Sequence, residues 1–240
     1  MINRTLITSS CFVRDYHSQI LLELWARLLV KQNPDVDILL VDSGSPVDVG
    51  EILAPWGFRP VPEGGGALGE GRWVLRLSEQ WGDHHNEGGR AVKLGLQIAV
   101  LEGYDWAVYI EGDTLFAPPI EPLVSKLDRL GVSVSAPFEH TFQYMETSIV
   151  FYRVNHLIET GFIDTYEWRH GEVLEFDELR REKAHKDELV WLPVRGGRAD
   201  DGRIHPGNIH GLFPHGIDWI THAHHMATYF DFLQINKIRL

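Results

Sequence analysis

Glu111-Gly112-Asp113 sets two carboxylates on one side of an extended chain, with a glycine between them that admits a ligand close to the backbone. Such a pair suits Mg²⁺ or Mn²⁺, hard cations that take oxygen ligands and share them with substrate phosphates. The chemistry in view is stabilisation of negative charge on a departing diphosphate. Spacing alone carries little, because 34 acids in 240 residues produce about five acid-x-acid triplets by chance. Context separates them. Asp35/Asp37 precedes an apolar run and Glu175/Asp177 lies in a charged helical stretch, whereas Glu111/Asp113 closes the strongly apolar run Trp106 to Ile110. Ligands of α/β sheets bind at that edge; the bland alternative is a solvated strand end. Histidine is the second oddity, since six of the 13 (His205, His210, His215, His222, His224, His225) fall near the C-terminus.

The elements that must position these residues follow from periodicity. Thr5 to Phe12 is β-branched and small apolar, a strand. Ser18 to Val30 carries Ile20, Leu21, Leu24 and Leu28 at helical spacing and stops at Asn33-Pro34. Asp37 to Val41 is a second strand, running into the turn Asp42-Ser43-Gly44-Ser45-Pro46. A helix over Arg90 to Leu101 and a strand over Trp106 to Ile110 repeat the alternation, and so predict a parallel sheet covered by helices. Further on come a helix at Ile120 to Leu130, a strand at Val132 to Ala136, an apolar run at Thr147 to Tyr152 and a last strand at Asp218 to His222. Pro60 to Asn86, with Gly64-Gly65-Gly66, reads as a long mobile loop serving as a lid. Glu167 to Lys186 reads as charged helix and Arg195 to Asn208 as loop. No internal repeat or linker divides the chain, which predicts one domain.

Composition narrows the class. At 44% apolar and 23% charged residues the chain is an ordinary folded protein, long enough to bury about 70% of its unfolded surface. A net charge of −12 repels a phosphate backbone, so nucleic acid is not an expected partner. The single cysteine, Cys11, excludes an internal disulfide and an all-Cys zinc site, and fits the cytoplasm. No run approaches the roughly 20 apolar residues that span a bilayer, which leaves peripheral contact as the expected form of any membrane association.

Four segments in order, Thr5 to Arg14, Leu39 to Ser45, Asn86 to Gly95 and Trp106 to Asp113, resemble the GT-A glycosyltransferases, the nucleotide-diphospho-sugar transferases. The resemblance covers about residues 4 to 120 and implies an α/β fold, with a Rossmann-like, mostly parallel central sheet flanked by helices. Residues 1–120 would form the nucleotide-sugar half and 121–240 the acceptor half. By this resemblance Ser9, Ser10, Arg14 and Asp42 hold the base and ribose. Arg90 and Lys93, at the start of the helix after Asn86, face the donor; two cations there oppose the helix dipole unless an anion is bound, and otherwise belong to a solvated face. The metal motif falls on Glu111 and Asp113, with Mn²⁺ or Mg²⁺ as cofactor. The first acid is Glu where the family has Asp; being longer, it suits a ribose or water-bridged contact and leaves Asp113 the stronger ligand. A late histidine completes such sites, which implicates His222 and then His224. The acidic pair Asp187-Glu188 is similar to the one from which inverting members draw the base.

The implied activity is metal-dependent transfer of a sugar from a UDP- or GDP-sugar to a hydroxyl of a saccharide or other acceptor. Two alternatives stay open. One is a noncatalytic nucleotide- or glycan-binding member of the fold. The other is a metal-dependent hydrolase built on the late histidines, which lack the His-Glu-x-x-His spacing such enzymes use.

Overall fold

The computed structural model describes residues 3–62, 67–77, 84–139, 144–145, 149–165, 189–192, 197–198, 204–205, 219–220 and 226–240. The chain opens with β1 (Thr5–Cys11), α1 (Tyr16–Gln32) and β2 (Asp37–Asp42), the predicted unit with its ends shifted by one or two residues. α1 starts where it does because the Ser18 N–H donates to the Asp15 carboxylate at 2.8 Å, while the Asp15 N–H donates to the Ser18 hydroxyl at 3.0 Å. It ends at Asn33, whose amide donates to the Leu29 carbonyl and accepts from the Ile120 N–H at 2.8 Å. The face α1 buries is Leu22, Trp25, Ala26, Leu28 and Leu29; Ile20, Leu21 and Leu24 lie only half-buried beside it.

Next come α2 (Val49–Leu53), a 3₁₀ turn (Ala54–Trp56), β3 (Phe58–Pro60), β4 (Arg72–Arg76), α3 (His84–Leu101), β5 (Trp106–Ile110) and β6 (Leu115–Phe116). The second half has α4 (Ile120–Arg129), β7 (Val134–Glu139), β8 (Tyr144–Met145), β9 (Ile149–Arg153), α5 (Val154–Glu159) and α6 (Phe162–Thr165). It closes with β10 (Leu189–Leu192), β11 (Gly197–Arg198), β12 (Ile204–His205), β13 (Trp219–Ile220) and α7 (Met226–Ile235). The central sheet runs β10-β7-β9-β5-β1-β2-β4-β3, with β8 paired to β7. It is mostly parallel; the antiparallel pairs all involve β9 or β8.

Alternation along the strands divides the core between the two faces of the sheet. Ile7, Ile38, Leu40, Val108 and Ile110 pack with α1, α4 and α7. Leu6, Leu39, Val41, Ala107 and Tyr109 pack with α3 and α5. Leu40 has no exposed surface, so Leu40→Ala costs about 2–5 kcal/mol. α3 lies so close to β1 that a methyl group on Gly95 would sit 2.0 Å from Thr8 Oγ1.

Two expectations change. Pro60 to Asn86 is not one long loop, because Arg72–Arg76 is a strand inside the sheet, hydrogen-bonded between β2 and β3. Its apolar run, Trp73-Val74-Leu75, is only three residues long, and pairing on both sides supplies what local propensity does not. Likewise Arg195 to Asn208 contains an antiparallel pair, with Gly197 opposite His205. The stretch Glu167 to Lys186 lies outside the described residues.

Candidate functional site

The chain leaves β1 for β2 on one side and later returns to place β5 on the other, so the order reverses between β1 and β5. Open α/β sheets bind ligands outside the carboxyl ends of the strands at such a reversal. Three parallel strand ends meet there. Cys11 pairs with Asp42, and Thr8 with Tyr109.

Asp42 has no exposed surface. Its Oδ1 accepts from both the Ser45 N–H (3.0 Å) and the Ser45 hydroxyl (2.5 Å). Ser45 Oγ in turn accepts from the Val13 N–H at 2.8 Å, which locks the turn after β2 to the turn after β1. Oδ2 has no hydrogen-bond partner among the described residues, and the Arg76 guanidinium stands 3.7 Å from it. A buried carboxylate oxygen left in this state carries a desolvation cost that a ligand donor would remove. Arg76, at the end of β4, also donates to the Ser45 carbonyl at 2.9 Å and lies 3.9 Å from Asp48. Neither Ser45 nor Arg76 was singled out from the sequence; the only local signals are a Ser-Gly-Ser turn and a cation after three apolar residues.

Ser9 and Ser10 point to opposite faces of the sheet. Ser9 is buried beside Leu40, and its hydroxyl has no partner among the described residues. Ser10 faces α3, its hydroxyl 3.2 Å from that of Tyr109. Cys11 is half-buried next to Asp42; burial and then that carboxylate push its thiol pKa well above the ordinary value. Arg14 is exposed in the turn before α1.

On the β5 side the chain turns at Glu111, where the Thr114 N–H donates to the Glu111 carbonyl at 2.9 Å. Glu111 and Asp113 are half-buried. A methyl group on Gly112 would lie 2.8 Å from the Ser10 carbonyl oxygen, so this glycine lets β1, rather than a ligand, come close. Two half-buried carboxylates are oxygen donors of the kind Mg²⁺ and Mn²⁺ accept, and such ions bind through one or two carboxylates plus phosphate. Among the described residues no group of three or more His, Cys, Asp or Glu side chains could enclose a metal alone. Glu111 and Asp113 could share such an ion with a substrate phosphate.

The cations on α3 are placed differently from expectation. The helix begins at His84, not Arg90, because Gly88-Gly89 do not break it. Arg90 thus stands about 9 Å down the axis from the first residue, on the same face as Lys93, and the argument from opposed helix dipole falls away. Arg90 is exposed and Lys93 half-buried. Asp187, Glu188, His222 and His224 lie outside the described residues. Just before His222, β13 pairs antiparallel with β6, Ile220 opposite Leu115.

The sequence matches no protein-family model and no curated protein. Solved structures do match. One assigned as a nucleotide-diphospho-sugar transferase from Desulfovibrio desulfuricans is similar at TM-score 0.52 and 16% identity, over 80% of each chain. The galactosyltransferase LgtC, solved with donor and acceptor sugar analogues, aligns at TM-score 0.51 and 11% identity over 98% of this chain and 94% of its own. The chain has the GT-A fold. A structure from Bacillus anthracis assigned as a glucose-1-phosphate thymidylyltransferase, in complex with sucrose, aligns at TM-score 0.53 and 14% identity over 99% and 96%. No described helix is long and apolar enough to cross a membrane.

Proposed function

We propose that this chain is a glycosyltransferase, moving a sugar from a UDP- or GDP-sugar to a hydroxyl of a saccharide or other acceptor. One observation carries the reading. At the reversal point of a GT-A sheet, the strand-end acids Glu111 and Asp113 stand across β1 from a buried carboxylate, Asp42, one oxygen of which has no hydrogen-bond donor among the described residues. Asp42 Oδ2 accepts an N–H or O–H of the nucleoside, with the Ser9 hydroxyl beside it and Arg14 at the rim. Arg90 and Lys93 serve the donor side from α3. Asp113, helped by Glu111, would hold Mn²⁺ or Mg²⁺, which when bound neutralises charge on the departing diphosphate.

His222 joins this reading through β13. The described strand just before it pairs with β6, which follows Glu111 and Asp113 in the chain, and His224 is the second choice. Neutral imidazole suits Mn²⁺, so binding weakens below about pH 6.5, where the ring protonates. Asp187 or Glu188, in the acceptor half, takes the acceptor proton. The acceptor oxygen bonds to the anomeric carbon, the bond from that carbon to the phosphate oxygen breaks, and the nucleoside diphosphate leaves with the electron pair. A cytoplasmic site of action belongs to the same reading, supported by the lone cysteine.

Thermal-shift measurements with UDP, GDP and CMP, each with and without Mn²⁺, test it, followed by release of nucleoside diphosphate from the matching sugar donor. The expected result is stabilisation by one diphosphate that Mn²⁺ enlarges, together with turnover. Stabilisation by Mn²⁺ alone would favour a hydrolase. Stabilisation by nucleotide with no turnover of any donor would favour a noncatalytic binder.

A further inference from the structure

We propose that Gly112 and Tyr109 are positioning residues that set the distance between the nucleotide half of the site and the half bearing Glu111 and Asp113. This rests on the glycosyltransferase reading above. A Cβ at position 112 would meet the Ser10 carbonyl oxygen at 2.8 Å and its carbon at 3.9 Å. The obstacle is backbone, so no side-chain rotation relieves it. Gly112 is absent from the glycines with positive φ, so the demand here is for space and not for a left-handed conformation. The second link is the Tyr109 hydroxyl, 3.2 Å from Ser10 Oγ, on a ring that is 3% exposed.

β5 and the turn after it therefore meet Ser10 twice, Gly112 packing close to its carbonyl and Tyr109 bonding its hydroxyl. Ser10 lies between Ser9 and Cys11, and Cys11 is in register with Asp42. Widening the seam between β1 and β5 moves the paired acids away from the nucleoside contacts. A displacement of about 1 Å in such a constellation costs on the order of 10²-fold. A nucleoside needs only the β1–β2 side, whereas a diphosphate with its cation needs both, so the seam governs how far metal strengthens diphosphate binding.

The test is calorimetry on the full chain, measuring affinities for a nucleoside and its diphosphate (uridine with UDP, guanosine with GDP), with and without Mn²⁺. In Gly112→Ala the Mn²⁺-dependent gain should fall by about tenfold or more, with nucleoside affinity held within about twofold. Tyr109→Phe, which removes one hydroxyl and keeps the ring, should lose about threefold of the gain and decides the matter if Gly112→Ala does not fold. Gly57→Ala is the control. Its methyl would sit 2.9 Å from Arg72 Nη1 at φ +81°, at the other end of the sheet, so it should lower Tm and keep the gain. A full gain in both site variants overturns the proposal. So does equal loss of nucleoside and diphosphate affinity, or loss of the gain in Gly57→Ala. A parent chain that binds no nucleotide with or without Mn²⁺ overturns the glycosyltransferase reading and this inference with it.

Discussion

β2 carries a carboxylate at each end, and the two are treated oppositely. At the amino end Asp37 has both oxygens engaged, Oδ1 accepting from the Gly71 N–H at 2.6 Å and Oδ2 from the Tyr104 hydroxyl at 2.9 Å. Burial and that bond to Asp37 raise the Tyr104 pKa, which keeps the hydroxyl a donor. At the carboxyl end Asp42 is wholly buried, yet only Oδ1 is bonded. The surroundings repeat the contrast. Arginines close the amino end over aromatic rings and carbonyls: Arg4 over Tyr104 at 4.4 Å, Arg59 over Trp73 at 4.3 Å, and Arg72 on the Pro34 carbonyl at 2.9 Å. Thr5 Oγ1 and Arg72 Nε lack partners there too, but the carboxylate, the group most costly to leave buried and unpaired, is satisfied. One end of the sheet satisfies its carboxylate; at the other, a carboxylate oxygen and the Ser9 hydroxyl have no hydrogen-bond partner among the described residues.

Substitutions can break or sharpen this contrast. The largest effect belongs to Asp113→Ala, which should lower sugar transfer by on the order of 10²–10³-fold and abolish the Mn²⁺ dependence of nucleotide affinity. Its Tm should stay near the parent's because the side chain is half-exposed. Unchanged metal-dependent affinity would remove Asp113 from the site.

The contrast itself is tested by the pair on β2. Asp37→Ala strands the Gly71 N–H and the Tyr104 hydroxyl, and should cost about 1–3 kcal/mol in denaturant unfolding while leaving nucleotide affinity alone. Asp42→Ala should weaken nucleotide about tenfold, and because it strands the Ser45 N–H and hydroxyl it should also cost stability of similar size. Equal loss of affinity in both would erase the distinction between the two ends.

Cys11 reports on the same crevice. Burial and Asp42 disfavour the thiolate, so alkylation at pH 8 should run at least about tenfold slower than for a small free thiol. Fast stoichiometric labelling would show a more open, better solvated strand end. The smallest effect is at the cap of α1. The Ser18 N–H lowers the Asp15 pKa below its ordinary 3.8, so the charged cap contributes stability above that value and loses it as pH falls through the lower, folded one. Tm curves of the parent and Asp15→Ala should therefore differ at pH 7 and converge on acidification, whereas a constant offset would mean the cap acts without its charge.

Local pattern was legible wherever an element supplies its own signal. The helices over Ser18 to Val30 and Ile120 to Leu130, and the strand over Trp106 to Ile110, appear within a few residues of expectation. β4 was not legible, because Trp73-Val74-Leu75 lies among glycines and becomes a strand only between two partners. The start of α3 was set too late: the helix expected from Arg90 begins at His84 and runs through Gly88-Gly89, packed against β1 and β2. The strand-end positions of three carboxylates were legible as well. Asp42, Glu111 and Asp113 stand at strand ends because an acid after an apolar run has nowhere else to go.

The amino-acid order by itself determined the alternation of strand and helix and the carboxylates at the strand ends, because these depend on neighbours in the chain. Only the tertiary structure decided that Asp42 gives one oxygen to Ser45 and keeps the other unbonded, and that Arg76 comes within 3.7 Å of it. It also decided that Gly112 makes room for the Ser10 carbonyl. Ser10 and Gly112 lie far apart in the chain, and a contact at that separation is set by which strands pair and in what register. Pairing is a property of the whole sheet, and no window of sequence contains it.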